Sequence, residues 1–311
     1  MKILYISKYD PTPWQRKIEK VLPEADFLLW PDDAPSDLGE IDYILTWKPE
    51  PGLLAKFPKL KAIFNLGAGV DVLLADKTLP RDVPIVRLVD PLLTSGMVEY
   101  VVCWVLYFHR QFHIYGKLQK MHQWKESPPP FTAKRAVGFL GIGELGQASA
   151  VALQNLGFKN IAGWSRSKKQ LPGIESFSGA KELDAFLART EILITLLPLT
   201  GQTEKIINAK NILSLPTGAC IINPGRGGLI NDDDLIAALK SGKISGAVLD
   251  AFAPEPLAAQ SPYWDMENVF ITPHIASLTV AGSAASTTVE MIKKIEAGGA
   301  PENTVNIDNG Y

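Results

Sequence analysis

The stretch Ala136-Val137-Gly138-Phe139-Leu140-Gly141-Ile142-Gly143-Glu144-Leu145-Gly146 decides the fold of the second half of the chain. Its apolar first half predicts a strand, and a helix-compatible run follows from Gln147 to Leu156 before another strand at Ile161. Between a strand and a helix, a Gly-x-Gly-x-x-Gly spacing allows a tight turn, close approach of a diphosphate and close helix packing. The free N–H groups of the helix N-terminus, at residues such as Glu144 and Leu145, favour an anion. The stretch therefore predicts a dinucleotide-binding loop, with a plain strand–helix turn as the alternative.

Strand-like runs alternate with helix-length segments along the whole chain, which predicts parallel sheets covered by helices, an α/β fold. A first set of predicted strands is Lys2 to Ile6, Asp26 to Leu29, Tyr43 to Thr46, Ala62 to Asn65 and Ile85 to Leu88. A second set is Ala136 to Leu140, Ile161 to Trp164, Ile192 to Leu196, Ala219 to Ile222, Ala247 to Ala251 and Val269 to Ile271.

Because the glycine loop opens the second set, a new domain is expected to start before it. We predict a dinucleotide-binding domain at 98–278 and a substrate-binding domain at 1–97 plus 279–311, with a helix from Thr279 to Glu296 returning to the first lobe. An apolar helix is expected near Met97 to Tyr115, and the run Pro128-Pro129-Pro130 predicts an irregular stretch after it.

The bulk composition excludes several classes of partner. The chain has 311 residues, 46% hydrophobic and 21% charged, with a net charge of −2. This charge gives no reason to expect nucleic acid or an anionic membrane as a partner. The most apolar segment, Met97 to Phe112, is shorter than the roughly 20 residues of a membrane span and contains charged residues, so a buried helix is expected.

The two cysteines and the N-terminus indicate a cytoplasmic location. Cys103 and Cys220 lie in apolar runs, where buried, reduced thiols are expected, and they form neither a disulfide framework nor a zinc pattern. The first residues, Met1 to Ile6, are typical of a strand and not of a signal peptide.

The turn about 20 residues after the glycine loop predicts the choice of cofactor. Binding of NAD usually places a carboxylate there, to accept hydrogen bonds from the ribose. The chain instead has Gly163-Trp164-Ser165-Arg166-Ser167-Lys168-Lys169, which contains no acid. Ser165, Arg166 and Ser167 suit a phosphate monoester. The turn therefore favours NADPH over NADH, with a solvated basic turn as the alternative.

Three chemically active residues follow predicted strands of the second set: Arg226, Glu255 and His274. Each has a plain alternative: a surface ion pair, a solvated loop acid and a structural histidine. In a parallel α/β sheet, however, ligands bind outside the carboxyl ends of the strands, so all three are expected on one rim. A carboxylate beside an imidazole favours the charged form, which can donate a proton. A guanidinium can bind a carboxylate and polarise a carbonyl.

The first lobe offers a possible anion site. Asn65-Leu66-Gly67-Ala68-Gly69-Val70-Asp71 follows a strand, and its small residues expose backbone N–H groups that can bind a carboxylate. Trp47 also follows a strand end. It is expected either to line the same site or to be a core or interface aromatic.

Taken in order, these motifs resemble the D-isomer-specific 2-hydroxyacid dehydrogenase family. Besides the glycine loop, the resemblance rests on Pro198-Leu199-Thr200-Gly201-Gln202-Thr203, Asn223-Pro224-Gly225-Arg226-Gly227-Gly228-Leu229-Ile230, Leu249-Asp250-Ala251-Phe252, Glu255-Pro256 and Thr272-Pro273-His274-Ile275-Ala276. The loop at 65–71 and the turn Trp164-Ser165-Arg166-Ser167 most resemble bacterial glyoxylate/hydroxypyruvate reductases of type A.

The resemblance implies roles for single residues. Arg226, Glu255 and His274 match the catalytic arginine, the carboxylate partner and the proton donor. Asp250 matches the acid near the nicotinamide carboxamide, Pro198 lies in a cofactor-binding motif, and Ala68 and Gly69 match the backbone donors for the substrate carboxylate. It also implies two Rossmann-like domains, each a doubly wound parallel sheet, with a cleft between them, and a homodimer. No metal is expected, because His109 and His113, which could form half a metal site on a helix, have no evident acidic or cysteine partner.

The expected function is therefore NADPH-dependent reduction of small 2-keto acids, with glyoxylate and hydroxypyruvate as candidate substrates. One alternative is a reductase of larger or more apolar 2-keto acids. Another is an NADP(H)-sensing scaffold or a corepressor-like protein, since function is set by sites and not by the fold.

Overall fold

The computed structural model describes residues 1–128 and 130–311. Pro129, in the middle of the proline run predicted to be irregular, lies outside the described residues. The chain divides into two compact units, Met1–Leu93 with Leu278–Tyr311, and Thr94–Ser277. The predicted boundaries, 97/98 and 278/279, lie four residues and one residue from these changes, and the functional roles of the two domains remain predictions.

The first unit is built on a five-stranded parallel sheet in the order β2-β1-β3-β4-β5. This is a doubly wound order whose switch point lies between β1 and β3. Leu4, Ile44, Ile63 and Ile85 stand in register on four neighbouring strands and form part of the core. Its elements are β1 Lys2–Ile6, α1 Thr12–Val21, β2 Asp26–Leu29, β3 Tyr43–Thr46, β4 Ala62–Asn65, α2 Asp71–Leu74, β5 Ile85–Arg87 and α9 Ala281–Glu296.

The second unit is built on a seven-stranded parallel sheet in the order β12-β11-β10-β9-β6-β7-β8. The chain moves away from β6 in both directions, so its switch point lies between β6 and β9. The strands are β6 Val137–Leu140, β7 Ile161–Ser165, β8 Ile174–Ser178, β9 Ile192–Thr195, β10 Ala219–Asn223, β11 Ile244–Leu249 and β12 Val269–Ile271. The helices are α3 Pro91–His109, α4 Phe112–Lys120, α5 Glu144–Asn155, α6 Gly179–Ala188, α7 Ala209–Ser214 and α8 Asp232–Ser241. Helix α3 belongs to this unit from Thr94 on.

The prediction of two doubly wound parallel sheets is confirmed, and the predicted strands are present with ends shifted by at most three residues. One strand was missed. The segment Ile174–Ser178, which reads IESFS, forms β8 at the edge of the second sheet. Its sequence is interrupted by one glutamate and two serines, so it lacks the continuous apolar run by which the other strands were recognised, and only one of its five residues is buried.

The predicted apolar helix is two helices, α3 and α4, separated at Gln111, which adopts a left-handed backbone with φ of 60°. Helix α3 is long and apolar enough to cross a membrane by length and composition alone. Met97, Val101, Val105 and Phe108 on one of its faces pack into the core of the second unit. The prediction of a buried helix holds for this face only, because 28% of the apolar stretch is buried. The prediction that both cysteines are buried is confirmed for Cys220 and wrong for Cys103, which is exposed. A helix that packs by one face leaves its other residues outside the core.

Candidate active site

The carboxyl ends of β10, β11 and β12 lie side by side in the second unit. The ladder continues past the strands, with the N–H of Asp250 donating to the carbonyl of Asn223 and that of Thr272 to the carbonyl of Leu249, both at 3.0 Å. The loops that follow these three strands carry the predicted residues Arg226, Glu255 and His274. The sheet therefore places the starting points of all three loops on one edge.

His274 and Glu255 form a direct pair. The imidazole Nδ1 lies 2.8 Å from Oε1 and 3.0 Å from Oε2 of Glu255, whose Oε1 also accepts a hydrogen bond from the N–H of Phe252 at 3.1 Å. An ionised carboxylate can only accept, so Nδ1 carries the hydrogen of this contact. The pairing leaves Nε2 for a reacting atom, and 41% of the histidine side chain is exposed to receive one.

The backbone of His274 is held in an unusual conformation. Its φ of 55° lies in the left-handed region, which residues other than glycine occupy at a cost. Asp250, directly after β11 and fully buried, fixes this turn. Its carbonyl accepts the N–H of His274 at 2.8 Å, and its carboxylate accepts the N–H groups of Ile275 and Ala276 at 2.8 and 2.9 Å. Asp250 thus binds three successive amides of the turn, while its predicted contact with the nicotinamide carboxamide stays a prediction.

The arginine loop is organised by a buried asparagine. Asn223, the last residue of β10, accepts hydrogen bonds from the hydroxyl of Thr195 and the N–H of Gly225, and donates to the carbonyl of Arg226 at 3.0 Å. The guanidinium of half-buried Arg226 donates to the carbonyl of Gly225 at 2.9 Å.

Gly227 brings the arginine loop against the loop that carries Glu255. A side chain at position 227 would stand 2.1 Å from the carbonyl carbon of Phe252, so only glycine permits this approach. Because Phe252 also donates to Glu255, the loops of Arg226, Glu255 and His274 form one connected group.

The glycine loop lies at the switch point of the same sheet, between β6 and α5. Gly141 has φ of 102°, and a Cβ there would stand 2.5 Å from the carbonyl carbon of Leu196. A Cβ at Gly146 would stand 2.3 Å from the carbonyl oxygen of Gly141. At Gly143, by contrast, a Cβ would meet no described atom within 4 Å. The first and third glycines are thus required by packing, whereas the second leaves the approach to the helix N-terminus open, as a dinucleotide diphosphate requires.

Helix α5 begins at Glu144, so the first N–H groups of the helix belong to Glu144 and Leu145. The predicted cofactor residue Pro198 follows the neighbouring strand β9. The hydroxyl of Thr203 holds its loop by donating to the carbonyl of Pro198 at 2.6 Å and accepting from the N–H of Thr200 at 2.8 Å. The carboxyl ends of β6 and β9 therefore carry neighbouring loops of defined conformation.

The basic turn after β7 is connected to the glycine loop. The hydroxyl of Ser165 donates to the carbonyl of Ser167 at 2.8 Å, and the ammonium group of Lys169 donates to the carbonyl of Ile142 at 2.9 Å. Arg166 and Ser167 are exposed. These residues fit a phosphate monoester beside the glycine loop, because hydroxyls and cations are present and the segment 163–169 contains no carboxylate.

The three predicted residues of the first unit lie together within that unit. The side chain of Asn65, buried at the end of β4, donates to the carbonyls of Gly67 and Gly69 at 2.7 and 3.0 Å. A Cβ at Gly67 would stand 2.3 Å from the ring of Trp47, so the tryptophan lies directly over the loop that contains Ala68 and Gly69.

Three residues that organise these loops were missed in the sequence as site residues: Asn65, Asn223 and Thr272. The signal that could have found the two asparagines is a polar residue closing an apolar strand, because a buried amide needs hydrogen-bond partners in the next loop. Thr272 gives no comparable signal in the sequence, since its partners come from residues 22 and 172 positions away.

Comparison with known proteins agrees with this geometry. The family model described as "D-isomer specific 2-hydroxyacid dehydrogenase, NAD binding domain" matches residues 102–276. A glyoxylate/hydroxypyruvate reductase A of Serratia proteamaculans is 38% identical over 314 residues, covering 99% of each chain.

Two solved structures are similar over the whole chain. A D-isomer-specific 2-hydroxyacid dehydrogenase of Xanthobacter autotrophicus, in complex with NADPH and MES, is 40% identical with a TM-score of 0.94, covering 100% of this chain and 99% of that one. An NADPH-dependent glyoxylate/hydroxypyruvate reductase of Sinorhizobium meliloti, in complex with NADP and sulfate, is 38% identical with a TM-score of 0.91 and the same coverage. The chain belongs to the D-isomer-specific 2-hydroxyacid dehydrogenase family, which confirms the resemblance found in its sequence.

Proposed function

We propose that this protein is an NADPH-dependent reductase of small 2-keto acids, converting glyoxylate to glycolate and hydroxypyruvate to D-glycerate. The observation that carries the proposal is the contact of His274 Nδ1 with Glu255 at 2.8 Å, in loops connected to that of Arg226. A proton donor and a fixed cation on one sheet edge are what reduction of a keto acid needs. The names of the relatives above supply the substrate class.

Each residue has a defined task in this reaction. When bound, NADPH supplies the hydride that reaches the carbonyl carbon. His274 donates a proton from Nε2 to the carbonyl oxygen as it becomes an alcohol, and Glu255 stabilises the charged imidazole through Nδ1. Arg226 binds the substrate carboxylate and polarises the carbonyl. In the first unit, the backbone N–H groups of Ala68 and Gly69 suit a substrate carboxylate, and Trp47 lies over their loop.

The preference for NADPH is assigned to the turn Ser165, Arg166 and Ser167. Arg166→Ala should raise the KM for NADPH about tenfold, the scale of one charge-assisted hydrogen bond, and leave the KM for NADH within about twofold. Steady-state kinetics with both cofactors measure this. Lys181→Ala, which removes an exposed cation from α6, serves as the matched control and should change neither value. Equal efficiency of the wild type with NADH and NADPH would remove the basis of the assignment.

We also propose that the protein is a cytoplasmic homodimer whose copies meet at an aromatic patch on α3, α4 and β12. The patch consists of Trp104, Tyr107, Phe112 and Phe270, the last two being 53% and 49% exposed. Apolar patches of this kind are typical of interfaces. Light scattering should give the mass of a dimer for the wild type and of a monomer for Phe270→Glu. A monomeric wild type would contradict this part of the proposal.

The reaction itself is tested by its product. Hydroxypyruvate incubated with NADPH and the protein should give D-glycerate, identified by chiral chromatography. L-glycerate, or turnover restricted to bulky acids such as phenylpyruvate, would overturn the proposed stereochemistry or substrate class. NADPH binding without turnover of any keto acid would favour the scaffold alternative.

A further inference from the structure

A series of hydrogen bonds connects helix α3 with the turn that carries His274. These bonds have no role in the proposed reaction as far as it has been described. The hydroxyl of Tyr100 lies 2.6 Å from Oγ1 of Thr272, and Oγ1 of Thr272 donates to Oδ1 of Asp250 at 2.6 Å. A threonine hydroxyl has one hydrogen, and that of Thr272 is donated in the hydrogen bond to the carboxylate. Tyr100 must therefore be the donor to Thr272, so the direction of the chain is fixed.

The protonation of Tyr100 agrees with this direction. Burial is the main reason that the pKa of Tyr100 lies above its ordinary value, and the negative charge of Asp250 raises it further. The phenol therefore keeps its proton over the whole working range of pH. It is a permanent donor at the start of the chain.

The far end of this series of hydrogen bonds is the carboxylate of Asp250, which is fully buried. Its oxygens accept hydrogen bonds from the hydroxyl of Thr272 and from the N–H groups of Ile275 and Ala276. A donor lost at Thr272 changes the strength and direction of the remaining bonds to the same carboxylate, because hydrogen bonds in a chain polarise one another.

The atoms held by Asp250 are those that set the position of His274. The amides of residues 274, 275 and 276 all donate to this one residue, and they surround the left-handed backbone of His274. A left-handed residue persists only where its surroundings fix it. If the turn relaxes, Nδ1 moves from Glu255, and Nε2 loses its alignment with the carbonyl oxygen.

We propose that Tyr100 and Thr272 are positioning residues for the proton donor, which act through Asp250 to hold the His274 turn in its reactive conformation. The hydrogen bonds of the imidazole go to Glu255, and Thr272 is bonded to His274 only at the backbone, where its carbonyl accepts the N–H of His274 at 3.1 Å. The proposal deepens the proposed function and rests on it.

Tyr100→Phe removes only the first donor of the chain. It should lower kcat for keto-acid reduction about tenfold and leave the KM for NADPH and for the keto acid within about twofold, because proton donation and not binding is disturbed. Tyr43→Phe is the matched control, since Tyr43 in the first unit also donates to a carboxylate, that of Glu296 at 2.6 Å. It should lower the melting temperature without lowering kcat.

The second position gives a conservative pair. Thr272→Ser keeps the hydroxyl and should retain kcat within about twofold, whereas Thr272→Val removes it and should lower kcat by at least as much as Tyr100→Phe. Because Tyr100 acts through Thr272, the double variant Tyr100→Phe/Thr272→Val should be no slower than Thr272→Val alone. If the losses of kcat in the two single variants multiplied in the double variant, Tyr100 would not act through Thr272, and the proposal would be overturned.

A spectroscopic readout separates this inference from the proposed function. The chain has four histidines, so the imidazole resonance of His274 can be assigned by its loss in His274→Gln. In Tyr100→Phe this resonance should shift while those of the other histidines stay in place, whether or not the protein reduces keto acids. If the wild type turned over no keto acid but the His274 resonance still shifted in Tyr100→Phe, the proposed function would be refuted and the inference about positioning would stand. A wild-type kcat and an unshifted His274 resonance in folded Tyr100→Phe would overturn the inference.

Discussion

The two units use the same architecture for different tasks. Each is a doubly wound parallel sheet, and each has a buried polar side chain at a strand end that holds the next loop: Asn65 in the first unit, Asn223 and Asp250 in the second. They differ in the helix that follows the loop proposed to bind an anion. In the second unit the glycine loop leads into α5, a helix of 12 residues, whereas the loop after β4 leads into α2, which has only four. The sheet supplies the scaffold, and the loops determine the chemistry.

This difference implies a division of labour in the proposed reaction. A long helix directly behind a tight glycine turn provides a positive end for a diphosphate. The short loop of the first unit provides only backbone N–H groups, which suit one small carboxylate. Substitutions in the glycine loop should therefore affect cofactor binding, and substitutions at the loop of the first unit should affect the keto acid alone.

The largest effect is expected at Arg226. Arg226→Ala should lower kcat/KM for glyoxylate about a thousandfold, since it removes both the clamp on the carboxylate and the cation beside the carbonyl. The Kd for NADPH, measured by calorimetry, should change less than about threefold. Arg189→Ala is the control, because Arg189 is also partly buried in the second unit but binds Asn160, which precedes β7 at the opposite edge of the sheet. A loss confined to NADPH affinity would assign Arg226 to the cofactor.

The glycine loop offers a pair that separates packing from binding. Gly143→Ala should keep the stability within about 0.5 kcal/mol, since its Cβ meets no described atom within 4 Å, yet weaken NADPH binding about tenfold or more. Gly141→Ala should instead destabilise the protein by at least about 1 kcal/mol, because of its φ of 102° and the backbone of Leu196. Thermal melts and NADPH titrations measure both variants. Unchanged NADPH affinity in Gly143→Ala would place the diphosphate elsewhere.

In the first unit a smaller and more selective effect is expected. Asn65→Ala removes the two hydrogen bonds to the carbonyls of Gly67 and Gly69, so the amides of the loop lose their fixed direction. The KM for glyoxylate should rise about fivefold to tenfold, while the Kd for NADPH stays that of the wild type. If NADPH binding weakened equally, the two units would not divide their tasks as proposed.

The smallest effect concerns a surface pair of the first unit. Lys61 and Tyr43 hold the carboxylate of Glu296 on α9, and the hydrogen bond from Lys61 is the main reason that the pKa of Glu296 lies below its ordinary value. A lowered carboxyl pKa contributes stability above the ordinary pKa, and this stability is lost as the pH falls through the lowered value. Glu296→Gln should therefore cost less than about 1 kcal/mol at neutral pH and nothing in acid, measured by urea unfolding. A cost that persisted in acid would point to packing.

The sequence predicted the sheets and the strand ends because each buried strand is an uninterrupted apolar run. Arg226, Glu255 and His274 were expected on one edge for a different reason, since parallel strands end there, and their roles in the reaction stay predictions. The strand Ile174–Ser178 and the break at Gln111 were missed, because an edge strand need not be apolar and a left-handed residue leaves no pattern. Of the residues that support the site, Asp250 was predicted, as a cofactor contact, whereas Tyr100 and Thr272 were missed. Tyr100, Thr272 and Asp250 meet through side-chain contacts across 172 and 22 positions, and only the packing of α3 on the sheet brings them together.

The measurement that tests the account most directly is steady-state oxidation of NADPH with glyoxylate and hydroxypyruvate, for the wild type and for His274→Gln. The account predicts fast turnover of both acids by the wild type and a kcat at least about 100-fold lower in the folded variant, the lower end expected when a general acid is lost. A wild type silent with both acids, or a variant as fast as the wild type, would contradict it.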